Sequence, residues 1–248
     1  MSASWCSNEH RSIPPRDKAM MTHQVRLLVT TVVFLGILPS AACPQDFAYG
    51  LRAGPSLSRF VGEREPDWVF RVGYLAGVFG RLQLSDALAI QPQLLVHQRG
   101  ASDRHYGGTK VSVTYLELPA LARLKLYGGG ENAVNIAVYA GPAASALLSC
   151  RYAQEEPDRW SPEPPGVLVP CAARDPGGLD IGVGFVNTRD VMVDALGGIE
   201  FVISLGSATS LSLDARYQRS LLTIDRLGIP EVWTETLAFS LAISRTRL

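Results

Sequence analysis

Charged side chains recur at alternate positions within several apolar segments of this 248-residue sequence. Successive side chains leave an extended strand on opposite sides, so residues two apart share one face. Charges of both signs on one face can pair with each other when the strands close around them. We interpret this face as the lining of an interior, and we favour a structural salt-bridge network there over a transport path. The predicted interior charge network consists of Arg81, Glu117, Arg123, Glu200, Asp214 and Arg216.

Histidine-based catalysis would need a nucleophile or a carboxylate placed close to a histidine. Downstream of residue 42 the sequence contains two histidines, His97 and His105, and no Gly-x-Ser-x-Gly motif. His97 alternates with Arg99 on the polar face, and His105 lies in the polar stretch DRHYGG. We predict an interior hydrogen-bonding role for His97, a solvated position for His105, and a protein without enzymatic activity.

Cofactor, metal and nucleic-acid sites also lack their usual signatures. The Gly-rich stretch 177–184 has no Lys of a phosphate-binding loop, and we assign it to the approach to a strand. The sequence has no Cys-x-x-Cys motif and no pair of histidines at ligand spacing. Its formal net charge is zero, which excludes a strongly basic nucleic-acid-binding protein. We therefore predict no cofactor, no metal and no nucleic-acid partner.

Eight long β-strands are the elements that would position these charges. In the closing segment TLAFSLAISRTRL, large apolar residues alternate with small or polar ones. In the fourth strand the alternation changes phase near Tyr115, which predicts a β-bulge there. The predicted strands cover residues 47–60, 70–84, 87–100, 111–127, 133–149, 193–206, 209–220 and 236–248.

The connections between the predicted strands alternate between short turns and longer, more polar loops. Several strands exceed the about 5 to 6 residues usual in globular sheets and reach the about 9 to 11 residues that a tilted strand needs in a bilayer. Together these features predict an all-β fold, an eight-stranded antiparallel up-and-down transmembrane barrel. Its short turns would face the periplasm and its long loops the outside. A soluble barrel with inverted faces has the same periodicity and stays as an alternative.

The N-terminal segment is predicted to direct export. Residues 1–42 form a leader with a signal peptide, since a basic start is followed by an apolar stretch that ends in small residues. Met20 or Met21 is a candidate for the true start. An uncleaved anchor helix and lipid attachment at Cys43 are alternatives. The barrel domain would cover residues 43–248 and lie in the outer membrane.

The predicted outward loops carry cysteines and tryptophans. Cys150 and Cys171 bracket the Pro-rich stretch of the longest loop, and in an exported protein this arrangement predicts a disulfide. On the chain-entropy model such a disulfide contributes about 3 kcal/mol. Trp68, Trp160 and Trp233 also fall in predicted outward connections. Exposed aromatic residues there serve either as binding anchors or as belt residues at the lipid headgroups.

Five stretches of the sequence are similar to one known family: 50–60, 73–101, 114–126, 138–149 and 212–224. The most distinctive pieces are QPQLLVHQRGA and YLELPALAR. Through them the chain resembles the PorT-like outer-membrane barrel family, also described as porin-family or outer-membrane beta-barrel domain proteins. The resemblance implies an eight-stranded barrel in the outer membrane and little about activity. The sequence departs from many such barrels by ending at Leu248 rather than at an aromatic residue.

A barrel of eight strands has an interior that side chains just fill. We therefore expect a structural or surface-interaction role, with outer-membrane lipid around the wall and a protein or surface ligand bound through the outward loops. A small-solute porin is one alternative. A soluble, exported ligand-binding barrel is the other.

Overall fold

The structure, a computed structural model, describes residues 47–62, 68–103, 110–128, 134–153, 166–171, 189–206, 208–224 and 232–247. Six of the features singled out above lie outside these residues: the leader 1–42, Cys43, His105, Trp160, the Gly-rich stretch 177–184 and Leu248.

Nearly all of the described chain is β-structure, as the alternation of apolar and polar residues predicts. Eight strands are long, and one strand, β6, has two residues. The strands are β1 Phe47–Gly62, β2 Trp68–Gln83, β3 Leu88–Asp103, β4 Lys110–Tyr127, β5 Val134–Ala153, β6 Val169–Pro170, β7 Val191–Ser204, β8 Thr209–Ser220 and β9 Val232–Arg247.

The eight long strands close into an antiparallel barrel. Each of them pairs with its neighbours in chain order, and the pairing of β1 with β9 joins the first strand to the last. The β4–β5 pairing completes the ring. Strand β6 lies outside this ring and, among the described residues, pairs with Arg151 and Tyr152 of β5. The prediction of an eight-stranded antiparallel barrel is confirmed, and closure leaves no strand of the ring with an unpaired edge.

The outer surface of the barrel carries an apolar belt. On β9, for example, Leu241 is 57% exposed on the outside, whereas Ala242 is 3% exposed on the inside. The belt comprises the outward residues from Phe47 to Leu57, Leu88 to Val96, Leu116 to Leu126, and Leu237 to Ile243, with their neighbours on the other strands. Such a surface requires lipid around it. The alternative of a soluble barrel with an apolar interior and a polar surface is therefore wrong.

The polarity of the wall reverses at the loop end of the belt. Beyond Leu57 the next outward residue of β1 is Arg59, and on β3 the polar Gln98 follows Val96. Inside the wall at this height, apolar residues replace the polar lining. We call this group the loop-end apolar cluster, and it consists of Phe60, Ala101, Val111, Val113, Tyr115, Met192, Ile224 and Val232. The strands thus project beyond the membrane as a barrel with a core of the soluble type.

This reversal explains the phase change in β4. The register of β4 against β5 shifts between Thr114 and Tyr115, where Leu148 of β5 is the extra residue. A bulge therefore lies opposite Tyr115, but in β5. The prediction of a bulge in β4 is wrong, because β4 has no extra residue there and its register against β3 is continuous from Thr114 to Glu117. The apolar residues of β4 change phase because Val113 and Tyr115, which face inward like Glu117, pack into the loop-end apolar cluster.

Two tryptophans lie in strands rather than in connections. Trp68 is the first residue of β2, and Trp233 is the second residue of β9. The predicted strands were too short at their loop ends. They were defined by large apolar residues on the outer face and polar residues on the inner face, and this pattern stops where the wall leaves the membrane. Among the described residues, no helix is long and apolar enough to cross a membrane.

A charge placed on the belt should destabilise the barrel. We expect Leu241→Arg to lower the free energy of unfolding by about 2 to 4 kcal/mol, the cost of an arginine near the bilayer midplane. Leu221→Arg is the matched control, because Leu221 is equally exposed but follows β8 beyond the belt. It should cost about 0 to 1 kcal/mol. Urea titration of the barrel in lipid vesicles measures both values, and equal costs would contradict the belt.

Candidate functional site

Three groups of charged residues fill the membrane-spanning interior. The first is centred on Glu200 of β7, which accepts from arginines on three other strands. Arg52 Nη2 lies 3.4 Å from Glu200 Oε1, Arg81 Nη2 lies 3.0 Å from Oε2, and Arg123 Nε lies 2.7 Å from Oε2. Arg81 also donates to Gln91 at 3.0 Å. These bonds tie β1, β2 and β4 to β7 across the interior.

The second group is centred on Asp214 of β8. Arg52 Nη1 lies 3.3 Å and Arg216 Nε 3.8 Å from Asp214 Oδ1. Ser240 donates to the same oxygen at 3.1 Å, and the Tyr139 hydroxyl donates to Oδ2. Because Arg52 contacts both Glu200 and Asp214, the first two groups form one connected network.

The side chain of Tyr139 passes over Gly198 to reach Asp214. A Cβ at Gly198 would collide with the Tyr139 hydroxyl and with the Ala215 carbonyl oxygen. Glycine is therefore required at this position of β7 by the close approach of the tyrosine.

The third group lies nearer to the loops and joins two carboxylates through one arginine. Arg99 binds Asp194 through two parallel hydrogen bonds of 3.1 and 3.0 Å and also donates to Glu117 Oε1. His97 Nδ1 lies 3.0 Å from the same Glu117 oxygen. Ser145 donates to Asp194 at 2.9 Å. Forked guanidinium–carboxylate pairs of this kind are among the strongest hydrogen bonds in proteins.

The six residues predicted as the interior charge network all face inward, but they divide among these groups. Arg81 and Arg123 meet at Glu200, whereas Arg216 contacts Asp214. Glu117 contacts none of the other five in the described bonds and pairs with Arg99 instead. The ionisable residues that sequence reasoning left out of the network are Arg52, His97, Arg99, Tyr139 and Asp194. Except for Tyr139, all of them lie on the polar face recognised from the sequence, and that shared face was the available signal.

Burial of these groups is nearly complete. The side chains of Arg52, Glu200 and Asp214 have no exposed surface, and those of Arg99 and Arg216 are 1% exposed. A charge buried to this degree is tolerated only when it is paired, because its desolvation costs several kcal/mol. The network is therefore suited to hold the wall together, and moving an ion through it would break the pairs.

The loop-end apolar cluster covers the charged network on the side of the long loops. The rings of Phe60 and Trp68 meet edge to face at 5.2 Å. The β8–β9 connection contributes Ile224, which is 1% exposed and whose backbone N–H donates to Val232. Apolar packing therefore closes the interior from the side of the long loops.

A disulfide fastens the longest connection to this end of the barrel. Cys150 of β5 is bonded to Cys171, with their Cα atoms 5.3 Å apart. Cys171 is buried, and β6 just before it pairs with Arg151 and Tyr152. Of the tryptophans that the structure describes, Trp68 packs against the loop-end apolar cluster, and Trp233 lies half-buried on the outer face.

The chemistry open to this interior is limited. His97 is sealed at 1% exposure between Glu117 and Arg99, so neither a substrate nor bulk water reaches its ring directly. Within the described strands and turns, no group of three His, Cys, Asp or Glu side chains is placed to hold a metal ion. The charged side chains of the three groups pair with one another, which is an arrangement for stability and closure.

The closed wall, its lipid-facing belt and its charged lining define a transmembrane barrel of the outer-membrane class. The chain belongs to the family described as Outer membrane protein beta-barrel domain, which matches residues 40–226. The protein therefore lies in the outer membrane. No curated protein matches the chain.

Solved structures of bacterial outer-membrane barrels are similar to the chain. Ail, the attachment invasion locus protein of Yersinia pestis, solved in complex with the heparin analogue sucrose octasulfate, has 10% identity and a TM-score of 0.41, with 80% of this chain and 99% of that chain covered. OprG from Pseudomonas aeruginosa has 9% identity and a TM-score of 0.46, with 82% and 97% covered. Neisserial surface protein A has 9% identity and a TM-score of 0.42, with 79% and 97% covered.

Removing an arginine from the interior should destabilise the barrel according to the number of partners left behind. We expect Arg99→Leu to lower the free energy of unfolding by about 3 to 5 kcal/mol, because Asp194 and Glu117 both lose their arginine. Arg216→Leu should cost less, since Asp214 keeps Arg52 and two hydroxyl donors.

The control for these two variants is Arg151→Leu, which removes an exposed arginine from the outer face of β5. It should change the free energy of unfolding by less than about 0.5 kcal/mol. Urea unfolding in phosphatidylcholine vesicles ranks the three variants. A cost for Arg99→Leu no larger than that for Arg151→Leu would show that the interior charges do not stabilise the fold.

Proposed function

We propose that this protein is a filled, non-conducting and non-enzymatic outer-membrane barrel with a structural or surface-interaction role. The observation that carries the proposal is the double closure of its interior. Paired charges occupy the membrane-spanning part, and the loop-end apolar cluster lies above them. A barrel closed in this way anchors and presents its loops rather than passing solutes.

The projecting part of the barrel supports the surface-interaction role. Loops on a rigid scaffold are the usual carriers of recognition. Here the scaffold continues above the belt with a packed core, and the Cys150–Cys171 disulfide fastens the longest connection to it. We propose that a protein or another surface ligand binds at this end, with Trp160 and Trp233 as candidate anchors. Trp68 is proposed as a supporting residue instead, because it packs against the cluster.

Two further parts of the proposal concern ancestry and export. The stretches quoted above favour a PorT-like member within the outer-membrane barrel family. The basic and apolar start of the chain favours a leader at residues 1–42 that is removed on export, with the barrel domain at 43–248.

Conductance separates the filled barrel from the small-solute porin. We expect the folded protein in planar bilayers at high potassium chloride to give no discrete current steps, because the interior charges are bonded to each other. A boiled sample of the same preparation sets the background, and the shift of the band on an unboiled gel verifies folding. Steps of reproducible size from the folded sample alone would overturn the non-conducting role and favour the porin.

Surface presentation of the loop end can be tested with epitope insertions. We expect an epitope inserted after Gly166, in the exposed connection before β6, to bind antibody on intact cells. The control is the same epitope after Asp86, in the short β2–β3 turn, which should react only after permeabilisation. The reverse pattern would place the long loops in the periplasm and remove the basis for a surface-interaction role.

A further inference from the structure

A group of charged and aromatic residues lies on the outer wall at the loop-end border of the belt. We call it the rim cluster; it consists of Arg59, Phe70, Tyr217, Arg219 and Glu235. Arg59 Nε and Nη2 lie 3.3 and 3.0 Å from Glu235 Oε2. Arg219 Nη1 lies 3.7 Å from Glu235 Oε1, and the Tyr217 hydroxyl donates to that oxygen at 3.2 Å.

Glu235 is more deeply buried than the two arginines that it binds. Its side chain is 16% exposed, whereas those of Arg59 and Arg219 are 42% and 52% exposed. Arg59 is further positioned by the Phe70 ring, whose centroid lies 5.0 Å from the guanidinium carbon. The surface offered to the surroundings is therefore positive and its guanidinium groups are held in place. A guanidinium carries five N–H donors, so a bond to one carboxylate leaves others for a ligand.

The position of the rim cluster along the strands indicates which part of the membrane it contacts. Leu57 and Leu237, the next outward residues of β1 and β9, belong to the belt. The cluster therefore lies at the border of the hydrocarbon layer, where the lipid headgroups are. Long loops of outer-membrane barrels face outside, so these headgroups belong to the outer leaflet.

We propose that the rim cluster binds a phosphate group of an outer-leaflet glycolipid. Guanidinium groups recognise phosphate through paired hydrogen bonds, and aromatic residues are favoured at headgroup level. Glu235 acts as a positioning residue that sets the two arginines for this contact. The proposal rests on the membrane placement of the barrel and is independent of whether the barrel conducts or binds a surface partner.

The test uses the folded full-length barrel in detergent and two probes, bisphosphorylated lipid A and the same lipid with its phosphates removed. Native mass spectrometry reports the dissociation constant of each. The intact protein should bind the phosphorylated probe about tenfold more tightly or better, given two arginines at the headgroup surface. The combined variant Arg59→Gln and Arg219→Gln should lose this preference.

Arg245→Gln is the matched control, because Arg245 is an exposed, outward arginine at the opposite end of β9 from Glu235. It should keep the preference for the phosphorylated lipid. Heat modifiability verifies folding of each variant, and Arg219→Gln alone serves if the combined variant does not fold. Equal affinity of the intact protein for both lipids would overturn the proposal, as would an unchanged preference in the folded variant that lacks the arginines. Displacement of the lipid by an equal concentration of inorganic phosphate would identify a free-anion site instead.

Discussion

The buried charges of the described barrel must be paired, several of them across the interior, and the rest of the structure depends on that requirement. An arginine such as Arg52 is stable at full burial only because Glu200 and Asp214 lie opposite it. This pairing needs a closed ring of strands in a particular stagger. It also fills the interior, because the side chains that hold the wall together occupy the space between the strands.

A second constraint arises because each long strand lies partly in the lipid bilayer and partly in water. Inside the bilayer the wall is apolar on its lipid side and polar within, whereas above the bilayer water is outside and the arrangement reverses. Leu57 and Arg59, two residues apart on the same face of β1, mark the change. The reversal creates both the loop-end apolar cluster, which supports the loops, and the charged border at which the lipid headgroups lie.

The sequence predicted much of this fold and less of its site. Strand number and the polar face were predicted from the alternation of residues, since a strand has a period of two. The phase change near Tyr115 was interpreted as a bulge in β4, whereas it marks the reversal of polarity and the extra residue lies in β5. The ends of β2 and β9 were missed, because there the apolar face turns inward. Cys150 and Cys171 were paired from their positions around one loop. Within the network, Arg99 was placed on the polar face, but Asp194 was not identified as its partner.

The alternation of side chains by itself determined which residues share a face, and hence that Arg81, Glu117 and Glu200 have similar surroundings. Periodicity is unchanged when inside and outside are exchanged, so only the closed ring decided that this face is the interior. Closure also decided which charges meet. Arg52 and Glu200 are 148 residues apart in the chain, and their contact follows from strand order and stagger, which arise only when all eight strands are paired.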